Sequence, residues 1–319
     1  MSFAFILPVI HPDSVKVSNY EHLEIVLKRT LESLQRQTFT DIKIIVVCCK
    51  IPDFSKEIGD NIYFLNVADS TTFKPDRNIA RVDMGLKFIV GILYAIEKFK
   101  VDLFMRVDGD DYVNSNLAKY AINSLDRTLR SSTIDGYIIN KGLQIEVQVN
   151  SKNEIEYGDT YFIRRFNSSC GTCRIFKQAT LRAKLLEINS DIFSKSSHWL
   201  TACQDNAVAI PPEMPDWLDT ISREHYLEEW HPVNILGRHI NQSDYLNFAN
   251  FPFLGAAKAC GHGNHDGPRE GRIHKDKMVG KLPKSVLEST FGIKDSPAFF
   301  RMLLNFYMSA VFRLRSKLS

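Results

Sequence analysis

The sequence predicts an α/β fold: a mostly parallel sheet with flanking helices, followed by a C-terminal helical and irregular extension. Three observations carry this. Short apolar runs recur at residues 3–10, 41–48, 62–67 and 102–107. The segments between several of them place apolar residues at helical spacing. The second run is rich in β-branched residues and continuous rather than alternating, as expected of a parallel strand buried on both faces.

Taken in order, residues 3–10 read as a buried first strand that ends near Pro8. Leu23, Val26, Leu27, Thr30, Leu31 and Leu34 then fall on one helical face with a charged face opposite. Residues 41–48 complete a βαβ unit, for which a right-handed crossover is expected. A third strand at 62–67 is followed by a helix over 82–99, with Leu86, Ile89, Val90, Leu93 and Ile96 in register, and by a fourth strand at 102–107. Further on, 116–129 reads as a helix, 136–149 as strands with period-two alternation from Gln144, and 176–186 as another helix. From about residue 211 the texture changes to Pro, Trp, His and Gly, and 255–280 shows neither period, which points to a long functional loop or lid. The expected organisation is a core at 1–210 whose donor half is about 1–115, an acceptor-side or lid region at 211–295, and a terminal helix at 296–319.

Composition bounds the partners. The 319 residues, 44% hydrophobic, suffice for one large α/β domain with extensions or two small ones. A formal charge of +3 from 40 basic and 37 acidic residues is too balanced to make nucleic acid a main partner. The first ten residues lack a basic n-region and meet Pro8 early, so neither a signal peptide nor a membrane span is expected there. Six cysteines without an export signal fit a reducing cytoplasm. Residues 296–319 set Phe299, Phe300, Leu303, Leu304, Tyr307, Val311 and Leu314 beside Arg301, Arg313, Arg315 and Lys317. Such a helix either lies in the interface of an anionic membrane or docks on the protein itself.

The chemistry concentrates at Asp108-Gly109-Asp110-Asp111, three carboxylates in four positions directly after the fourth strand. Acids this close repel one another, and the usual relief is a hard divalent ion such as Mg²⁺ or Mn²⁺ shared with substrate phosphates. The alternative is an acidic turn that merely ends a strand. In an open parallel sheet, ligands bind outside the carboxyl ends of the strands, which favours a site.

The strand Phe5-Ile-Leu-Pro-Val-Ile10, the segment Leu31-Glu-Ser-Leu-Gln-Arg-Gln-Thr-Phe39 with Asp41-Ile-Lys-Ile-Ile-Val-Val47, and Asp108-Gly-Asp-Asp111 together resemble the GT-A glycosyltransferases, in particular the inverting family 2 group. The resemblance covers about the first 115 residues. It implies a Rossmann-like GT-A core in which Asp110 ligates Mn²⁺ or Mg²⁺, Asp111 is a further metal contact, and Asp108 with Gly109 lies on the nucleotide side. Pro8 matches the proline that follows the family's first strand. Where the family carries acids after the second strand, this chain has Cys48-Cys49-Lys50; Asp69 is then the candidate for the base, and Arg77 or Arg81 for a phosphate. Each of these three is alternatively a solvated surface residue.

Downstream, Gln204-Asp205 stands where the family places Glu-Asp. Asp205 is therefore the candidate general base, its alternative role being a helix N-cap. Some relatives use a late histidine on the metal, which nominates His262, with His231 and His239 as rivals. Arg269, Arg272 and Lys275 are candidate diphosphate contacts in a closing loop, or else solvated. Cys170-Gly-Thr-Cys173 with Cys203, Cys260 and His265 is either a zinc half-site or a set of unpaired core thiols.

The implied activity is metal-dependent transfer of a sugar from a nucleotide-sugar donor, UDP-linked, to a hydroxyl of a saccharide or lipid-linked saccharide during surface polysaccharide biosynthesis. Inversion at the anomeric carbon is expected from the resemblance. The rivals are a nucleotidyltransferase, which usually shows an early Gly-rich phosphate loop not found after Val9, and a catalytically silent glycan-binding or scaffold module.

Overall fold

The computed structural model describes residues 1–67, 80–125, 133–201, 208–209, 246–262, 278–282, 288 and 290–291. In chain order its first half holds β1 (Phe3–Pro8), α1 (Tyr20–Gln35), β2 (Ile42–Cys48), β3 (Ile62–Asn66), α2 (Ala80–Phe99), β4 (Leu103–Arg106), β5 (Tyr112–Val113) and α3 (Leu117–Ser124). There follow β6 (Gly136–Ile138), β7 (Lys141–Val149), β8 (Ile155–Arg164), β9 (Arg174–Lys177), α4 (Gln178–Ile188), α5 (Ile192–Thr201), β10 (Val208–Ala209), β11 (Phe248–Asn250), β12 (Ala256–Cys260) and β13 (Met278–Leu282).

Eight strands form the main sheet in the order β10-β3-β2-β1-β4-β9-β6-β11. β1 runs parallel to both β2 and β4, with Phe3 opposite Ile42 and Leu103. β3 continues the parallel half, and the antiparallel β9 joins β4 to β6. All six residues of β1 are buried because both faces of the sheet are covered, which explains an apolar run without alternation. One face packs Phe3, Phe5 and Leu7 against Leu27, Leu31 and Leu34 of α1 and Leu117 and Ile122 of α3. The other packs Ala4 and Ile6 against Leu86, Ile89, Val90 and Leu93 of α2, with Leu181, Leu185 and Leu200 alongside. Each fully buried Leu or Ile contributes about 1.5–3 kcal/mol over its exposed state, so the alternation within β1 decides which helix each residue anchors.

Helix α1 starts at Asn19, whose side-chain oxygen accepts the His22 backbone N–H at 3.2 Å. That satisfies one of the orphan donors of the first turn. The carboxyl end of β1 is tied to α2 by Lys87, a fully buried lysine that donates to the Val9 carbonyl at 2.8 Å and pairs with Asp83 at 2.8 Å. Burial pushes the Asp83 carboxyl above its ordinary value, and the Lys87 ammonium opposes that shift.

A second sheet, in the order β13-β8-β7-β12-β5, stands beside the first. Its core is Leu143, Ile145, Val147, Phe162, Ala257, Ala259 and Tyr112. Two expectations are corrected here. Residues 255–280 do not all form an irregular loop: Ala256–Cys260 is β12, parallel to β7 and antiparallel to β5, and Met278–Leu282 is β13 on β8. Three alanines give β12 little strand propensity of its own, and its neighbours impose the extended form. The helix expected at 176–186 begins only at Gln178, because Phe176 pairs with Phe104 inside β9. The helix expected at 116–129 is present as α3 over Leu117–Ser124. Among the described residues no helix is long and apolar enough to cross a membrane.

Candidate functional site

The site is built where three connections meet beyond the carboxyl end of β4. The first is the turn Asp108–Asp111, closed by the Asp111 N–H donating to the Asp108 carbonyl at 3.0 Å. Helix α1 holds this turn from below: the Thr30 hydroxyl donates to the Gly109 carbonyl at 3.1 Å. The second is the loop Ser169–Cys173 before β9, and the third is the end of β12 at Cys260-Gly261-His262. Gly261 adopts φ +93, which favours glycine, and a Cβ there would meet the Val147 carbonyl at 3.3 Å.

Each acid of the turn has a different partner. Asp108 Oδ1 accepts from Arg106 Nη2 at 2.7 Å and Nε at 3.1 Å, and its backbone N–H donates to Thr172 Oγ1 at 2.8 Å. Gly171 makes room for that carboxylate, since a Cβ at this position would lie 2.5 Å from Asp108 Oδ2. Asp110 Oδ2 lies 3.0 Å from Nε2 of His262, a buried imidazole. Asp111, only 1% exposed, accepts the Cys170 thiol proton on Oδ2 at 2.9 Å.

Electrostatics follow from this crowding. Burial pushes the Asp111 carboxyl well above the usual carboxylate range, and the charges of Asp110 and Asp108 push it further. Burial also raises the Cys170 thiol well above its ordinary value, with Asp111 and Asp108 adding to the effect. A divalent cation would offset this repulsion.

The donor atoms suit one. Asp108, Asp111 and Cys170 bring ligand atoms within 4.8 Å of one another, the group of metal-capable side chains at that spacing among the described residues. Asp110 and His262 add an oxygen and a nitrogen 3.0 Å apart. Adjacent ligands of an octahedral ion with bonds of about 2.1 Å are separated by about 3 Å. Two carboxylates and a thiol, with a further carboxylate and an imidazole beside them, are a donor set that a divalent ion could use.

Of the residues nominated from sequence, Pro8 is buried at the end of β1, Asp108 to Asp111 share the turn, and His262 is brought to it across the fold. Asp69, Arg77, Asp205, His231, His239, Arg269, Arg272, Lys275 and 296–319 lie outside the described residues, as does the side chain of Arg81. The thiols of Cys170, Cys173 and Cys260 have separate partners: Asp111, the Asn167 carbonyl and the Ile145 carbonyl. Sequence reasoning passed over Arg106, Thr172, Gly171 and Lys258. Only Arg106, two residues before Asp108, stood near enough in the chain to be noticed.

No protein-family model matches the chain, and no curated protein matches it. Among solved structures, S. aureus TarS 1-349 aligns at 16% identity over 66% of this chain and 58% of that one, with a TM-score of 0.35. The same protein in complex with UDP-GlcNAc aligns at 15% identity over 83% and 60%, with a TM-score of 0.36. A 4-diphosphocytidyl-2C-methyl-D-erythritolsynthase from Anaerococcus prevotii aligns at 13% identity over 69% and 96%, with a TM-score of 0.28. In these two alignments the chain spans less than two thirds of TarS 1-349. Superpositions this loose say nothing about chemistry, which rests on the side chains of the site itself.

Proposed function

We propose that this protein is a GT-A-type glycosyltransferase that moves a sugar from a UDP-linked donor to a hydroxyl of a saccharide or lipid-linked saccharide acceptor, with inversion, in surface polysaccharide biosynthesis. The observation that supports it most is the acid turn beyond β4 with His262 drawn onto Asp110. Asp110, Asp111 and His262 would hold a divalent ion. That ion supplies Lewis-acid stabilisation of the departing nucleoside diphosphate, worth several kcal/mol as an order of magnitude.

The remaining roles belong to the chain's own groups. Asp108, held by Arg106, faces the nucleotide side with Gly109. Pro8 shapes the end of β1, and Asp69, Arg77 and Arg81 are assigned to the base and phosphates. Asp205 takes the acceptor proton as the hydroxyl oxygen attacks the anomeric carbon, a step typically contributing about 10²–10⁴-fold. In this reading 1–210 is the catalytic core, 211–295 the acceptor side, and 296–319 a basic helix contacting an anionic membrane from the cytoplasm.

The experiment is UDP release from a panel of UDP-sugars with Mn²⁺ or with EDTA, for wild type and Asp110→Ala. Turnover lost in EDTA and in the variant is expected. Turnover indifferent to both would overturn the assignment of Asp110, and release of pyrophosphate from nucleoside triphosphates instead would favour a nucleotidyltransferase.

A further inference from the structure

Lys258 is a lysine inside an acid site, and nothing in the proposed reaction has used it. It lies on β12, which pairs antiparallel with β5 so that Ala257 stands opposite Tyr112. Carried one residue further, that register sets Lys258 against Asp111. Its Nζ donates to the Ser169 carbonyl at 3.1 Å, immediately beside Cys170, whose thiol holds Asp111. The strand register and the Ser169 contact thus both set Lys258 beside the turn.

The charges around it make its position informative. Three carboxylates, Asp108, Asp110 and Asp111, face two permanent cations, Arg106 and Lys258, and Arg106 is already committed to Asp108. Burial alone would weaken the lysine's hold on its proton, yet Cys170, Asp111, Asp110 and Asp108 outweigh it and raise the ammonium above its ordinary value. With a divalent ion in place and the three acids ionised, the two side-chain cations would leave the cluster one net positive charge. Without Lys258 the loaded site would be neutral and would hold less attraction for a diphosphate.

We infer that Lys258 is a built-in counter-cation of the acid turn: it competes with the divalent ion for the carboxylates, and once the ion is in place its charge draws the donor's diphosphate. This rests on the metal-dependent reading above. It makes Lys258 a positioning residue with an unusual signature, because its removal has opposite effects on two ligands. A lysine that only braced the fold would weaken both.

The test measures Mn²⁺ binding by the electron paramagnetic resonance signal of the free ion, and UDP binding by calorimetry at saturating Mn²⁺. It uses the full chain carrying Lys258→Met, Lys258→Gln or Lys258→Arg, with thermal melting to check folding. Met keeps the unbranched stem, and Gln keeps a polar head should Met fold poorly. Both are expected to bind Mn²⁺ about tenfold more tightly and UDP about tenfold more weakly, since one nearby positive charge is lost in each case. Arg is expected to behave as wild type. Mn²⁺ affinity that is unchanged or reduced in the neutral variants, or UDP affinity that does not fall, would overturn the inference. A wild-type protein that binds no Mn²⁺ would instead sink the metal-dependent reading on which it stands.

Discussion

His262 Nε2 and Asp110 Oδ2 lie 3.0 Å apart although 152 positions separate them in the chain. The contact exists because β12 joins the second sheet between β7 and β5, which delivers the residues after Cys260 to the turn that precedes β5. Gly261 then bends the chain at φ +93 so that the imidazole turns inward.

If this contact marks a shared ion, His262→Ala should weaken Mn²⁺ binding by about 10- to 100-fold, the range seen when groups supporting a metal site are removed. Because the imidazole is buried, thermal melting without metal should show some loss of stability, and Mn²⁺ affinity is compared at a temperature where both proteins are folded. Titration of Mn²⁺ into both proteins checks this, and equal affinities would remove His262 from the site.

Asp111 carries a pH prediction. Its carboxyl holds a proton more tightly in the folded chain than in the unfolded one, because burial and the charges of Asp110 and Asp108 oppose ionisation. Its contribution to stability is therefore fully present below the ordinary carboxylate value and is lost as pH rises through the raised folded value. Asp111→Asn should be more stable than wild type at pH 7.5, with the difference vanishing toward about pH 4. Mn²⁺ should raise the melting temperature of wild type more than that of the variant. Denaturant unfolding across pH provides the measurement; a variant less stable at neutral pH would contradict it.

Gly171→Ala places a methyl 2.5 Å from Asp108 Oδ2, a contact that only movement of the carboxylate or the loop relieves. Overpacking of this kind typically costs about 1–3 kcal/mol. The expected outcome is a folded protein with a raised KM for the nucleotide-sugar donor, since Asp108 would leave its place on Arg106. An unchanged KM would show that Asp108 does not meet the donor.

The core thiols should be inert. Burial is the main cause that lifts the Cys173 thiol to about 11, and Cys170 is raised as well. At pH 8 only about one Cys173 in a thousand is then a thiolate. Iodoacetamide should leave both unmodified in the native protein and label both in guanidinium, as read by peptide mass spectrometry. Rapid native labelling of Cys170 would mean that the Cys170 to Asp111 bond opens readily.

Legibility differed between the two halves of the molecule. The first four strands and the helices between them could be read from their residues because each buries its own pattern: Ile42–Cys48 is apolar throughout, and α1 repeats every three or four residues. β12 could not, since Ala256-Ala257-Lys258-Ala259-Cys260 resembles a loop until β7 and β5 pair with it. Phe176 was drawn into a helix for the same reason; it is an apolar residue whose state is decided by Phe104 across the ladder.

The candidate site divides along the same line. By itself the sequence determined that three carboxylates follow a buried strand, because local apolar runs and the Asp108-Gly109-Asp110-Asp111 cluster are properties of neighbouring residues. Only the tertiary structure decided that Asp110 meets His262, that Asp111 accepts a hydrogen bond from the Cys170 thiol, and that Lys258 stands beside them. Those contacts depend on strand register and sheet order, which are set by the packing of distant segments and leave no periodic trace in the chain.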